Sequence, residues 1–291
     1  MQEWKIGKVR VTKVVESEMV TPLDGLIPKA TREAVAAISW LRPHFVTDEG
    51  VPRLSIHALV IETPERRILV DTCVGNDKSL PTIPLWNKLQ LPFLDDLAAA
   101  GFKPDSIDTV VCTHLHVDHV GWNTMLKDGR WVPTFPKARY LLGRREFEYW
   151  QSEAEAQPGN DFAAAQVAVF GDSVKPVFDA GLVDLVEHDH RISKEVSLVP
   201  THGHTPGHVS VRIESEGERA LITGDFVHHP CQLAHPDWAT NVDWDQTESS
   251  KTRARTFSML AGEGSLVIGT HWAGVTAGRI VREGKAFRLE T

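Results

Sequence analysis

The stretch Thr113-His114-Leu115-His116-Val117-Asp118-His119-Val120-Gly121 places His114, His116, Asp118 and His119, all of metal-ligating type, within six successive positions. It follows the β-rich run Ile107 to Cys112, so the chain enters it extended, and along extended chain side chains repeat every two residues. His114 and His116 therefore project to one side and can grip one ion together, while Asp118 and His119 point elsewhere. Donors facing two ways from one short loop can serve two metal ions a few ångströms apart. A polar surface loop accounts less well for so dense a set of donors directly after a strand.

Working outward, three later turns each add one donor at the end of a β-rich run: Gly203-His204-Thr205-Pro206-Gly207, Thr223-Gly224-Asp225 and Gly269-Thr270-His271. Singly, each reads equally well as a turn histidine bonding the backbone or as a capping carboxylate. Donors at strand ends are held by a rigid sheet while the loops shape a pocket, which is how catalytic metal sites are built. With the first cluster, the candidate metal ligands are His114, His116, Asp118, His119, His204, Asp225 and His271.

The rest of the chain supplies a frame of alternating strands and helices. Ile6 to Val15 alternates apolar and charged residues as a half-buried strand does, and Ser55 to Glu62 with Arg67 to Asp71 reads as a hairpin. Thr31-Arg-Glu-Ala-Val-Ala-Ala-Ile looks like a short capped helix inside an irregular arm at about 21–50, interrupted by Pro22, Pro28 and Pro43. Helices are expected at Pro92 to Ala100, Arg144 to Gln151, Phe162 to Phe170 and Glu248 to Leu260. Strands are expected at Ile107 to Cys112, Ala138 to Leu142, Val196 to Val199, Val209 to Ile213, Ala220 to Thr223 and Ser265 to Ile268. Helices between strands favour an α/β layered architecture over a pure β sandwich.

Composition excludes several classes of function. A length of 291 residues with 42% hydrophobic and 24% charged residues describes an ordinary folded chain. The net charge of −8 repels a polyanion, so no nucleic-acid partner is expected. Three cysteines without close spacing suggest neither a disulfide framework nor a CxxC metal site, which fits a reducing cytoplasm. The amino terminus lacks the apolar run of a secretory signal, and no stretch reaches the ~20 apolar residues of a membrane span, so a cytoplasmic protein with no membrane partner is expected.

The ligand pattern resembles the metallo-β-lactamase superfamily, whose signature His-x-His-x-Asp-His reads His114, His116, Asp118 and His119 here, followed by the family's later ligands at His204, Asp225 and His271. The resemblance runs from Ile68-Leu-Val-Asp71-Thr, similar to the family's early strand-and-Asp motif, to His271. It implies a four-layer α/β/β/α sandwich, one catalytic domain over 1–291, and a dinuclear metal site. By that resemblance His114, His116 and His204 hold the first ion, Asp118, His119 and His271 the second, and Asp225 bridges both. Asp71 reads either as an acceptor that orients a ligand or as a strand-end cap. Imidazole and carboxylate donors without thiolate suit two zinc ions, and they also admit manganese, cobalt or iron.

Two cations lower the proton affinity of a shared water, so the resemblance implies attack by metal-bound hydroxide, with Asp118 placed to accept or relay a proton. Class B1 β-lactamases carry Cys at the position of Asp225, and the diiron flavoproteins carry Glu at that of His116. Gly224-Asp225-Phe226-Val227-His228-His229-Pro230-Cys231-Gln232 resembles the methyl parathion hydrolase branch, and His204-Thr-Pro-Gly-His208 is shared with the N-acyl-homoserine lactonases. Those lactonases place a substrate-facing Tyr three residues after the bridging Asp. His228 stands there and is, with Asp118, the second catalytic candidate. The expected substrate is a small-molecule lactone or carboxylic ester, with phosphotriesterase activity as a side reaction; resemblance to dimeric relatives, with the arm, implies a homodimer. Two other readings compete: an iron-dependent oxidoreductase or thiol dioxygenase on the same fold, and a structural metal protein. The donor set exceeds what a single ion takes, which disfavours both. Trp40, Trp86 and Trp122 read either as pocket walls or as packing.

Overall fold

The structure is a computed structural model describing residues 2–156 and 158–291. The chain divides into two compact units, residues up to Glu16 with Ile56–His188, and Ser17–Ser55 with Asp189–Thr291.

The first unit is organised by a seven-stranded sheet of order β1-β2-β3-β4-β5-β8-β9. Its strands are β1 (Gln2–Ile6), β2 (Val9–Val20), β3 (Arg53–Glu62), β4 (Arg67–Val70), β5 (Thr109–Cys112), β8 (Arg139–Gly143) and β9 (Val183–Val186). The strand expected at Ile6 to Val15 is β2 from Val9 onward, while a turn at Gly7-Lys8 leaves Ile6 at the end of β1. Gly7, at φ 56°, reverses the chain so that Ile6 pairs with Val9. The centre of the sheet is parallel, β4 to β5 and β5 to β8, and its strands Ile68-Leu-Val and Val110-Val111 are buried on both faces, as parallel strands are. A further hairpin, β6 (Thr124–Lys127) with β7 (Arg130–Pro133), was not expected from the sequence, although its Asp128-Gly129 turn is a strong hairpin signal.

Besides the short α3 (Val117–Val120), the described residues of this unit form α2 (Phe93–Ala99), α4 (Arg144–Glu155), α5 (Asp161–Val169) and α6 (Lys175–Asp179). The helix expected to end at Phe170 instead continues through a π turn, Phe170–Val174, into α6.

The second unit holds a six-stranded sheet in chain order: β10 (Val196–Pro200), β11 (Val209–Ser215), β12 (Glu218–Ile222), β13 (Leu266–Ile268), β14 (Ala277–Glu283) and β15 (Ala286–Glu290). Among the described residues only β12 to β13 is parallel, the chain between them forming α7 (Cys231–Ala234) and α8 (Gln246–Glu263). The final hairpin turns at Gly284, φ 60°. The arm holds α1 (Arg32–Ala36), capped as expected by Thr31, whose hydroxyl accepts the Ala34 N–H at 3.2 Å. Its apolar residues Leu23, Ile27, Val35, Leu41 and Phe45 are buried with Phe226, Phe257, Trp272 and Leu289 of the same unit. Among the described residues, no helix is long and apolar enough to cross a membrane.

Candidate metal centre

Each unit carries one of the predicted donor clusters at the ends of its strands. In the first, β5 delivers the chain to Thr113 and His114. His116, extended at φ −68° and ψ 158°, precedes the single turn of α3, which carries Asp118 and His119. The helical turn brings the His119 ring back to 4.0 Å from that of His114, whose ring also lies 4.6 Å from that of His116. His119 Nε2 is 3.7 Å from Asp118 Oδ1.

This loop is held through the amides that alternate with its donors. Thr113 N–H donates to Asp71 Oδ1 at 2.7 Å, Leu115 N–H to Glu146 Oε1 at 3.1 Å, and Val117 N–H to Gln166 Oε1 at 2.9 Å. Three buried side chains from β4's end, α4 and α5 thus each satisfy one backbone donor that the loop's conformation leaves unpaired. Asp71 sits at φ 57°, a conformation Asp tolerates better than most residues. The turn it opens is pinned by Glu16, whose carboxylate accepts from Val74 N–H, Gly75 N–H and Trp122 Nε1–H at 2.7 to 3.0 Å. Trp122 is therefore a buried packing residue, stacked on Phe93. Gly121 follows α3 where a Cβ would stand 1.7 Å from the Val74 carbonyl oxygen, so no larger residue fits.

In the second unit, His204 follows β10, Asp225 and His228 follow β12, and His271 follows β13. Donor atoms of His204, Asp225 and His228 lie within 4.8 Å of one another. Asp225 Oδ2 is 3.0 Å from His271 Nε2, 3.2 Å from His228 Nε2 and 3.8 Å from His204 Nε2. Asp225 N–H donates to His208 Nε2 at 2.7 Å; the other ring nitrogen of His208 meets Thr201 Oγ1 at 2.9 Å. His208 thus fixes the backbone of Asp225. Gln232 Oε1 does the same for His228, accepting its N–H at 2.7 Å.

The chemistry of these donors fits metal ions. His119 Nδ1 is 2.9 Å from Asp71 Oδ2, His204 Nδ1 is 2.9 Å from Asp243 Oδ1, and His271 Nδ1 is 3.2 Å from the Ser55 carbonyl. Carboxylates and carbonyls only accept, so each Nδ1 carries the proton. The Thr113 hydroxyl spends its proton on Asp71 Oδ2 and so accepts from His114 Nδ1 at 3.1 Å. All four histidines consequently present an unprotonated Nε2, the tautomer of a ligand whose far nitrogen is held by an acceptor. His271 Nε2 and Asp225 Oδ2 then face each other as two acceptors at 3.0 Å, an arrangement a cation satisfies. Burial lowers the His228 pKa, against the opposing charge of Asp225, and favours its neutral ring.

A family model, "Metallo-beta-lactamase superfamily", matches residues 51–262. The chain belongs to the metallo-β-lactamase superfamily. Among curated relatives, an N-acyl homoserine lactonase of Bacillus sp. is 26% identical over 174 residues, 56% of this chain and 60% of that protein. One of Bacillus cereus is 25% identical over 183 residues, 59% of this chain and 63% of that protein. The match thus spans about three fifths of the length of these lactonases. Among solved structures, the hydrolase AbOPH of the β-lactamase superfamily superimposes with a TM-score of 0.80 at 22% identity, covering 99% of this chain and 95% of that one. AidC, a dizinc quorum-quenching lactonase in complex with a product, does so with a TM-score of 0.80 at 20% identity, covering 99% and 96%. The expected α/β fold of the metallo-β-lactamase type is therefore that of this chain.

Sequence reasoning named these side chains as candidate donors and missed much of what holds them. Asp71 proves to be the acceptor that orients His119, where a strand-end cap read equally well. Glu146, Gln166, His208 and Asp243 carried no recognised motif, although His208 lies inside the quoted His204-Thr-Pro-Gly-His208 segment.

Proposed function

We propose that the two donor clusters supply one dinuclear metal centre in a single catalytic domain, and that the protein hydrolyses small-molecule lactones or carboxylic esters. His114, His116 and His204 would hold one ion and Asp118, His119 and His271 the other, with Asp225 available to both. The observation that carries this reading is the common tautomer of His114, His119, His204 and His271, each offering Nε2 with its Nδ1 proton engaged. Membership of the superfamily and the lactonase relatives support the hydrolytic class.

A pair of divalent ions, zinc being the reference choice for this donor set, polarises a carbonyl oxygen and eases ionisation of water. The chain's own residues do the rest. Asp118, less enclosed than the histidines beside it, is placed to take the proton that the attacking water loses. His228 has a neutral, buried ring whose Nδ1 finds no hydrogen-bond partner among the described residues, and it is the side chain available to meet the substrate's oxygen or leaving group. Gln232 fixes where that ring starts. Burial of the other donors keeps bulk water from competing with substrate.

The test is a substrate panel of aliphatic lactones, aryl esters and paraoxon-type triesters, assayed with zinc-, manganese- and cobalt-loaded protein. Turnover of lactones or esters that is lost in Asp225→Ala is the expected result, with triesters cleaved more slowly. Turnover of none of the three classes overturns the proposal.

A further inference from the structure

We propose that Asp243 is the positioning residue for His204, with Arg253 as its buried counter-charge, so that one carboxylate fixes the proton and the direction of a metal-ligating ring. This inference rests on the reading of His204 as a ligand given above. Asp243 lies in the irregular segment Thr240-Asn-Val-Asp243 before α8, where no sequence pattern marks it.

Its carboxylate is enclosed, with a partner for each oxygen. Asp243 Oδ1 meets His204 Nδ1 at 2.9 Å; Oδ2 accepts Thr240 N–H at 2.9 Å and lies 3.7 Å from Arg253 Nη1. The side chains of His204, Asp243 and Arg253 are all 0% exposed. The neighbouring backbone is clamped as well, Trp244 N–H donating to the His204 carbonyl at 2.9 Å and Asp245 N–H to that of Gly203 at 3.0 Å. A Cβ on Gly203 would stand 2.3 Å from Ser249 N, so the first turn of α8 packs directly against the loop that carries His204.

Arg253 is bound to the same purpose. Its guanidinium donates to the carbonyls of Pro236 and Phe226 and to the hydroxyls of Ser249 and Ser250. Phe226 directly follows Asp225, so one arginine braces the backbone beside the proposed bridging carboxylate and faces the carboxylate behind His204.

A purely structural role explains this less well. The N-cap of α8 is Asp245, which accepts from Thr247 N–H and Glu248 N–H, so the helix does not need Asp243. A buried charge pair contributes little to stability that an apolar pair would not. What the carboxylate adds is a fixed Nδ1 proton, an Nε2 held at one direction, and a more electron-rich donor.

The experiment compares zinc affinity of the full chain, by competition with a chromogenic chelator, in wild type, Asp243→Asn and His204→Ala. Asp243→Asn keeps the volume and should weaken one of the two ions about 10- to 100-fold, leaving the other near its wild-type affinity. If His204→Ala loses zinc while Asp243→Asn binds as wild type does, this inference fails and the metal-centre reading survives. If His204→Ala retains both ions at wild-type affinity, the metal-centre reading itself fails. Should Asp243→Asn not fold, nitrogen NMR of the wild-type imidazoles without metal decides instead. A His204 ring protonated at Nδ1 upholds the inference, and one protonated at Nε2 overturns it.

Discussion

Truncating Glu146 should destabilise the protein by an amount that can be worked out from two bonds. Its Oε1 accepts both Leu115 N–H at 3.1 Å and Trp150 Nε1–H at 2.7 Å. Leu115, Glu146 and Trp150 are all at most 8% exposed, so water cannot take over either donor. Each buried donor left unsatisfied costs about 1–3 kcal/mol, which places Glu146→Ala at roughly 2–6 kcal/mol. Glu146→Gln keeps an oxygen where both donors point and loses only the charge assistance, so its cost should be about 1–2 kcal/mol. Urea unfolding of the metal-free protein, with signal from far-ultraviolet circular dichroism, measures both. A Glu146→Ala variant within about 0.5 kcal/mol of wild type, or a Gln variant as unstable as the Ala variant, would refute the claim that this carboxylate holds the loop of His114 and His116.

Two further outcomes follow from the first unit. Asp71→Asn turns an amide toward His119 Nδ1, which favours the wrong tautomer; chelator competition should show zinc affinity reduced about 10- to 100-fold, and unchanged affinity contradicts the orienting role of Asp71. Lys78 is buried, donates to Thr124 Oγ1 at 2.8 Å, and lies 3.5 Å from the centre of the Trp131 ring. Burial lowers its pKa to about 7, although Asp172 and Asp77 pull the other way. The unfolded value is about 10.4, so the unfolded chain binds this proton more tightly. The full penalty, roughly 4–5 kcal/mol, applies below pH 7 and fades as pH rises toward 10.4, so this group makes stability increase with pH across that window. Unfolding free energies at pH 7, 8, 9 and 10 should climb less steeply in Lys78→Met than in wild type; parallel profiles contradict the assignment.

The candidate donors stood out in the sequence because each sits where a β-rich run meets a turn, and because the two-residue repeat of extended chain makes His114 and His116 partners without knowledge of the rest of the fold. The side chains that hold them were not. Glu146 and Gln166 reach the loop from helices that begin some thirty to fifty residues later, and Asp243 comes from a segment with no regular period, so nothing local ties them to their targets. The hairpin at Gly7 was hidden for another reason. An alternating apolar pattern continues across a tight reversal, and it does not record that the chain has doubled back. The arm at 21–50 looked irregular because its prolines break any long period, yet Leu23, Ile27, Val35, Leu41 and Phe45 all find the interior of the second unit.

The charged side chains of Asp243 and Arg253 are both 0% exposed, a state sequence composition assigns to neither. Burial raises the Asp243 carboxyl, but the hydrogen bond from His204 and the charge of Arg253 outweigh it and leave the pKa below the usual carboxylate range. The ionised form is thus maintained by its neighbours, and a reading confined to single residues has no access to them.

Metal counting tests the proposed dinuclear centre most directly. The chain is stripped with chelator, reloaded with zinc, freed of excess by gel filtration, and measured by elemental emission against protein concentration. Two zinc ions per chain, falling in Asp225→Ala, is the predicted result. A single ion per chain, whether zinc or iron, or two ions that persist without the Asp225 carboxylate, would contradict the account.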